Sequence, residues 1–117
     1  KKREKFFYKL FNTYSLNEDF VKYNIKNMNI VSNFAFPIIC KNKLIFNKYI
    51  KKFSNLDIEI RPFISGNIAR QPFFKKYIKK KFNLPNADKI HKLCFYCPNH
   101  NDLTLSEIDR ILLAIKK

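Results

Sequence analysis

The apolar residues of this chain switch repeatedly between two spacings, and that switching restricts the fold more than any other feature. Phe6, Phe7, Leu10, Phe11 and Tyr14 recur at the 3.6-residue period of a helix, so residues 2–14 read as an amphipathic helix whose stripe needs a partner surface. Ile45, Phe46, Tyr49, Ile50 and Phe53 repeat the pattern within Leu44 to Phe53, with the lysines between them turned to water. Near the end, Thr104 and Glu107 form a T-x-x-E capping box, and Leu105, Ile108, Ile111, Leu112 and Ile115 give the following helix one apolar face. The other spacing marks strands. Phe34 to Cys40 is a short apolar run in which Pro37 implies an edge position or a bulge. Ile58 and Ile60 alternate with Asp57, Glu59 and Arg61 until Pro62 stops or edges the strand, and Leu93 to Cys97 reads as a further strand. Residues 15–33 form an irregular connection, Phe73 to Phe82 a short basic helix after Pro72, and Pro85 opens another helix through Lys92. This alternation, free of repeats, predicts an α/β (or α+β) domain of two layers, a short sheet covered by helices. The strand order stays open.

A chain of 117 residues fits one domain with one modest core, and 13 Phe and 6 Tyr supply enough apolar surface to offset the entropy of ordering it. No run approaches the roughly 20 apolar residues of a membrane span, so no membrane partner is expected. The formal charge of +15 favours polyanions non-specifically. The lysines nevertheless fall in separate places: Lys1 to Lys5, Lys48 to Lys52, Lys75 to Lys81, and Lys116 with Lys117. Abundant Lys, Asn, Ile and Phe beside a single glycine is the usage an AT-rich coding sequence produces by itself. A small basic nucleic-acid-binding module, its lysines flanking exposed aromatics, stands as the alternative, although no recognised nucleic-acid motif is present.

Three residue groups invite chemistry. His91, Cys94, Cys97 and His100 have ligand-like spacing for zinc, but Cys94 and Cys97 are an odd number apart on a predicted strand and so point to opposite faces. The reading that follows is of small packed thiols in a reducing compartment, with no metal site. Gly66, the only glycine, stands in a Ser65-Gly66-Asn67 turn where a positive φ costs least. Arg61 at a strand end, with Asn67 and Arg70 on the turn, forms the third group; His91 and His100 read as hydrogen-bonded structural histidines.

The run Arg61-Pro62-Phe63-Ile64-Ser65-Gly66-Asn67-Ile68-Ala69-Arg70-Gln71-Pro72 resembles the R-P-x-x-x-G-N-x-x-R-Q-P signature of the DegT/DnrJ/StrS sugar aminotransferase and dehydrase superfamily. Leu84 to His91, Phe95-Tyr96, Asn99-His100 and Asp102-Leu103-Thr104 follow at the family's spacing, and Phe34-Ala35-Phe36-Pro37-Ile38 resembles its F-x-F-P-I strand. Asp57 and Pro98 stand where glycine is common, and Asn101 where proline is common. Asp can adopt a left-handed turn, so the departure at Asp57 is mild.

The resemblance implies the C-terminal small domain of a fold type I, pyridoxal-phosphate-dependent enzyme, with residues 1–14 linking to a cofactor-binding domain that precedes it. It implies a cytoplasmic homodimer acting on a nucleotide-linked keto-deoxysugar through pyridoxal phosphate or pyridoxamine phosphate. The reaction is transamination or removal of the C3 hydroxyl, with the details leaning toward the 3-dehydrase branch. Family members carry the Schiff-base lysine, or the dehydrase histidine, in the large domain, so no catalytic or cofactor-binding residue is assigned in residues 1–117 and the chain alone is expected to be silent. Arg61, Asn67 and Arg70 are implied substrate-binding residues. A non-catalytic remnant kept as a dimerisation piece is the third reading.

Overall fold

The computed structural model describes residues 1–117 as five α-helices around a three-stranded antiparallel sheet. The strands are β1 (Ala35–Ile39), β2 (Arg61–Pro62) and β3 (Cys94–Pro98); the helices are α1 (Lys2–Leu16), α2 (Lys43–Asn55), α3 (Pro72–Tyr77), α4 (Pro85–Leu93) and α5 (Leu105–Ile115). The last strand in sequence is central, in the order β1-β3-β2. Pro37 therefore lies on an edge strand, where its missing N–H interrupts no ladder.

The register places Phe36 opposite Cys97 and Ile38 opposite Phe95, and all four side chains are buried on the inner face. They pack with Phe6, Phe7, Leu10 and Tyr14 of α1, Tyr49 and Phe53 of α2, and Ile108, Ile111 and Ile115 of α5 in one apolar cluster. Helices thus cover one face of the sheet, and the outer face carries Ala35, Pro37, Tyr96 and Pro98, all half-buried. The same register puts Cys94 beside Ile39 and Cys97 beside Phe36, on opposite faces.

A buried polar knot closes the helical layer. Asn17 at the end of α1 donates to Tyr49 Oη and to the Ile115 carbonyl, each at 2.6 Å, and its Oδ1 accepts from the Asp19 N–H at 2.9 Å. Asp19 in turn accepts from Lys48 at 2.8 Å and from Tyr49 at 3.0 Å. A second buried side chain, Asn99, donates to the Asn33 carbonyl at 2.8 Å and the Arg3 carbonyl at 3.2 Å, fastening the end of β3 to the starts of β1 and α1. Thr104 and Glu107 make the expected reciprocal capping box at α5.

Two elements are shorter than their patterns predict. The alternation from Asp57 onward is present, with Ile58 and Ile60 half-buried, but ladder pairing begins only at Arg61. The Ile58 N–H is spent on the Phe53 carbonyl (3.1 Å) at the end of α2, where Asp57 takes φ 52, so the chain is still closing a helix there. The basic helix expected over Phe73 to Phe82 stops at Tyr77. Tyr77 and Ile78 are exposed, and in a longer helix Lys75 and Lys79, and Lys76 and Lys80, would repel one another at i, i+4 spacing, so neither packing nor charge sustains another turn.

Candidate functional site

β2 and β3 pair Arg61 directly with Tyr96, and this pair floors a cleft of about 380 Å³ lined by Phe34, Glu59, Arg61, Tyr96, Pro98 and His100. Phe34 and Tyr96 also line an adjoining apolar hollow of about 270 Å³, closed by Ala35, Pro37, Phe63 and Ile64. Together they make the outer face of the sheet a continuous concave surface, mainly apolar, with one guanidinium at its border. Glu59 and Arg61 are two residues apart on extended chain and so share a side. Arg61 donates from Nε (2.8 Å) and Nη2 (2.5 Å) to one oxygen of Glu59. This holds the fork side-on and leaves three of its five N–H donors available. At the far rim His100 accepts from the Asp102 N–H at 3.3 Å through Nδ1.

Asn67 and Arg70 belong to a different neighbourhood. Gly66 takes φ 64, and a β-carbon there would stand 2.2 Å from His91 Nδ1, so both backbone angle and space require glycine. The buried Asn67 caps the single 3-10 turn Ile68–Arg70, its Oδ1 accepting from the Ala69 N–H at 3.0 Å. Its Nδ2 donates to Asp88 at 2.7 Å, and its backbone N–H donates to His91 Nδ1 at 3.3 Å. Arg70 grips both oxygens of Asp88 through Nε and Nη2. The Arg70 hydrogen bonds, then that of Asn67, hold the Asp88 carboxyl far below the usual carboxylate range. The signature residues thus lock the turn onto α4, with both polar atoms of the Asn67 side chain engaged in it. Arg61 lines one cleft while Asn67 and Arg70 line another, which they share with α3 and the lysines after it.

Three residues of these arrangements, and the partner of His91, were not singled out by sequence reasoning. Tyr96 faces outward by strand parity and Glu59 partners Arg61 by the i, i+2 rule; both were readable from the period of two. Asp88 and the contact of His91 with Asn67 join residues 21 and 24 apart, and no periodicity reports that distance. Elsewhere Cys40, Cys94 and Cys97 are free and buried, each thiol pushed up to about 12 by burial. No three His, Cys, Asp or Glu side chains converge as metal ligands. No helix is long and apolar enough to cross a membrane.

The sequence model of the DegT/DnrJ/EryC1/StrS aminotransferase family matches residues 5–116, nearly the whole chain. The chain belongs to that family. Among solved structures, a GDP-4-keto-6-deoxymannose-3-dehydratase with a trapped PLP-glutamate geminal diamine superposes with a TM-score of 0.78 at 22% identity. The Escherichia coli (E coli) GDP-4-keto-6-deoxy-D-mannose-3-dehydratase with bound hydrated PLP gives 0.75 at 23%. A sugar aminotransferase from Micromonospora echinospora gives 0.73 at 12%. Each similarity covers 98% of this chain and about 30% of the other, so the fold is that of one part of these DegT/DnrJ/EryC1/StrS-type proteins. No curated protein sequence matches the chain at a significant level. Pyridoxal phosphate, which two of these structures name, needs an amine for its aldehyde and a cradle of donors for its phosphate. The residues lining the sheet-face cleft of this family member include no lysine to supply that amine, and a single arginine is not a cradle. The cofactor does not fit that cleft on these residues alone.

Proposed function

We propose that this chain is the C-terminal small domain of a pyridoxal- or pyridoxamine-phosphate-dependent nucleotide-sugar enzyme, with a keto-deoxysugar 3-dehydrase favoured over an aminotransferase. The observation that carries the reading is Arg61, held side-on by Glu59 with three donors free, at the border of an uncovered sheet face in a chain that matches the family from end to end. Two of the named structural relatives are 3-dehydratases of a GDP-linked keto-deoxysugar, which supports that branch. α1 then leads from the cofactor-binding domain, and the outer face of the sheet turns toward it. Arg61 donates paired hydrogen bonds to a sugar hydroxyl or phosphate oxygen. Asn67 and Arg70 act on the substrate region through the turn they hold, with the free Arg70 donors turned to the second cleft. The cofactor supplies the electron sink from the other domain, and the complete enzyme is a homodimer.

The test joins this chain, in place of its counterpart, to the cofactor-binding portion of the E coli 3-dehydratase. The chimera is expected to turn over that enzyme's GDP-linked sugar, while the 117-residue chain alone, treated with pyridoxal phosphate and borohydride, gives no stoichiometric lysine adduct. A single lysine modified to completion in the isolated chain would overturn the assignment.

A further inference from the structure

Residues 72–84 are built unlike the rest of the molecule. α3 forms their first half and packs mainly on the 3-10 turn Ile68–Arg70, while residues 78–84 have no regular structure. Phe73, Tyr77, Ile78, Phe82 and Leu84 are all exposed, so this one short stretch leaves five large apolar side chains in water. Phe74 alone is half-buried, its ring 5.7 Å from that of Phe82 at 71°, which folds the stretch back on itself as a lobe. The lysines at 75, 76, 79, 80 and 81 alternate with the apolar side chains, and none of them takes part in an ion pair. No acidic residue occurs between Ile60 and Ala87, and the first carboxylate that follows, Asp88, is already held by Arg70 and Asn67.

We propose that this lobe docks on the surface of a membrane rich in anionic lipid. Phe73, Tyr77, Ile78 and Phe82 enter the boundary between headgroups and acyl chains, and the five lysines lie at the level of the lipid phosphates. The inference is independent of the enzymatic reading. It revises the expectation of no membrane partner, which rested on the lack of a spanning segment and so bears on crossing a bilayer, not on contact at its surface. Both unusual properties of the lobe have a counterpart there: apolar side chains gain by leaving water, and clusters of about four to eight Lys or Arg are drawn to anionic headgroups. The long lysine stems let a ring sit deeper than the ammonium beside it. A nucleic acid would satisfy the lysines alone. The Lys76 ammonium lies over the Tyr77 ring at 5.4 Å and that of Lys80 over the Phe82 ring at 5.5 Å, so one face of each ring is already occupied by a cation. Ile78 and Leu84 offer nothing to a base or a phosphate, whereas a hydrocarbon boundary takes them as readily as the rings.

The chain has no tryptophan, so Tyr77→Trp places a single reporter on the lobe. With vesicles of phosphatidylcholine containing about 30% phosphatidylglycerol, this variant should co-sediment and its emission should shift to the blue, and vesicles of phosphatidylcholine alone should bind it about tenfold more weakly or less. Replacing Lys79, Lys80 and Lys81 together by Gln in the same background should weaken binding about tenfold or more. Ile78→Ser combined with Phe82→Ser should weaken it about tenfold and remove the blue shift. A control with the same charge change elsewhere, Lys1, Lys2 and Lys5 to Gln, should alter it less than about threefold. All of these are exposed positions, and circular dichroism checks that each variant keeps its fold. The proposal is overturned by no binding to the anionic vesicles, by equal binding to phosphatidylcholine alone, by binding without a blue shift, by an equal loss in the control, or by a single-stranded oligonucleotide that binds about tenfold tighter and displaces the vesicles.

Discussion

Replacing Gly66 by alanine separates two costs that the structure superimposes at one residue. A side chain at φ 64 costs about 1–2 kcal/mol by clash with its own backbone. The new β-carbon would also lie 2.2 Å from His91 Nδ1, and the ring can escape only by swinging away. That movement breaks its hydrogen bond with the Asn67 N–H, at a net cost of about 0.5–1.5 kcal/mol, or more where the freed group stays buried. The expected loss is about 1.5–3.5 kcal/mol in urea unfolding followed by far-ultraviolet circular dichroism. His91→Ala alone should cost about 1 kcal/mol, because it removes the hydrogen bond without touching the turn's backbone. In the double variant the clash and the hydrogen bond have both gone already, so the total should fall at least 0.5 kcal/mol short of the sum. Gly66→Ala with a loss under about 0.5 kcal/mol, or strict additivity with His91→Ala, would refute the packing of the turn on α4.

Asn17→Ala should cost about 2–3 kcal/mol, since it strands the Ile115 carbonyl and unties α1 from α2 and α5; a loss below about 1 kcal/mol in the same unfolding assay would show the knot to be ornamental. The three thiols, raised to about 12 by burial, should resist iodoacetamide at pH 8 in the native chain and react fully in urea, and rapid native labelling would contradict their placement. Asp19 is held below its ordinary value chiefly by the Lys48 hydrogen bond, and Asp88 chiefly by Arg70. Because both carboxylates are depressed in the folded state, their contribution is complete above the ordinary carboxylate range of about 3.9–4.3 and is lost as pH falls through the native values. Tm should therefore hold from pH 7 to about 5 and drop steeply below about 4, and Asp19→Asn should flatten the drop; a Tm that stays level to pH 2 would contradict the sign.

Much of this architecture is written in short-range patterns. The stripe Phe6, Phe7, Leu10 and Tyr14 needs only the helical period to be read, and so does the Thr104–Glu107 cap, because both concern residues within a turn or two of each other. β3 was legible as a strand, yet its central position was not, since nothing in LCFYC says that residues near 36 and near 61 will pair on its two sides. The false length of the strand after Asp57 has a local cause: side-chain alternation reports exposure, and Ile58 and Ile60 are half-buried without donating to a ladder. At the site, Gly66 was readable as a left-handed position from residue type, and Asp57 as a residue that can adopt one where the family commonly has glycine. What Asn67 and Arg70 hold was not, because Asp88 comes from a separate helix and the match is made by folding. Arg61 and Arg70 look equivalent in the signature, and each spends Nε and Nη2 on a carboxylate, but Glu59 is two residues from Arg61 on the same extended chain while Asp88 reaches Arg70 from α4.

The assignment of Arg61 as a substrate contact is the claim most directly open to measurement, by comparing kcat/KM and Tm for the chimera and its Arg61→Ala and Arg61→Lys variants. Arg61 is exposed and its pairing with Glu59 is a surface ion pair worth roughly 0–1 kcal/mol, so Tm should barely move. A charged hydrogen bond to substrate contributes about 1.5–3 kcal/mol, so alanine should lower kcat/KM by about tenfold or more and lysine should restore part of it. A large fall in Tm with normal turnover per folded molecule would make Arg61 a structural residue and contradict the account.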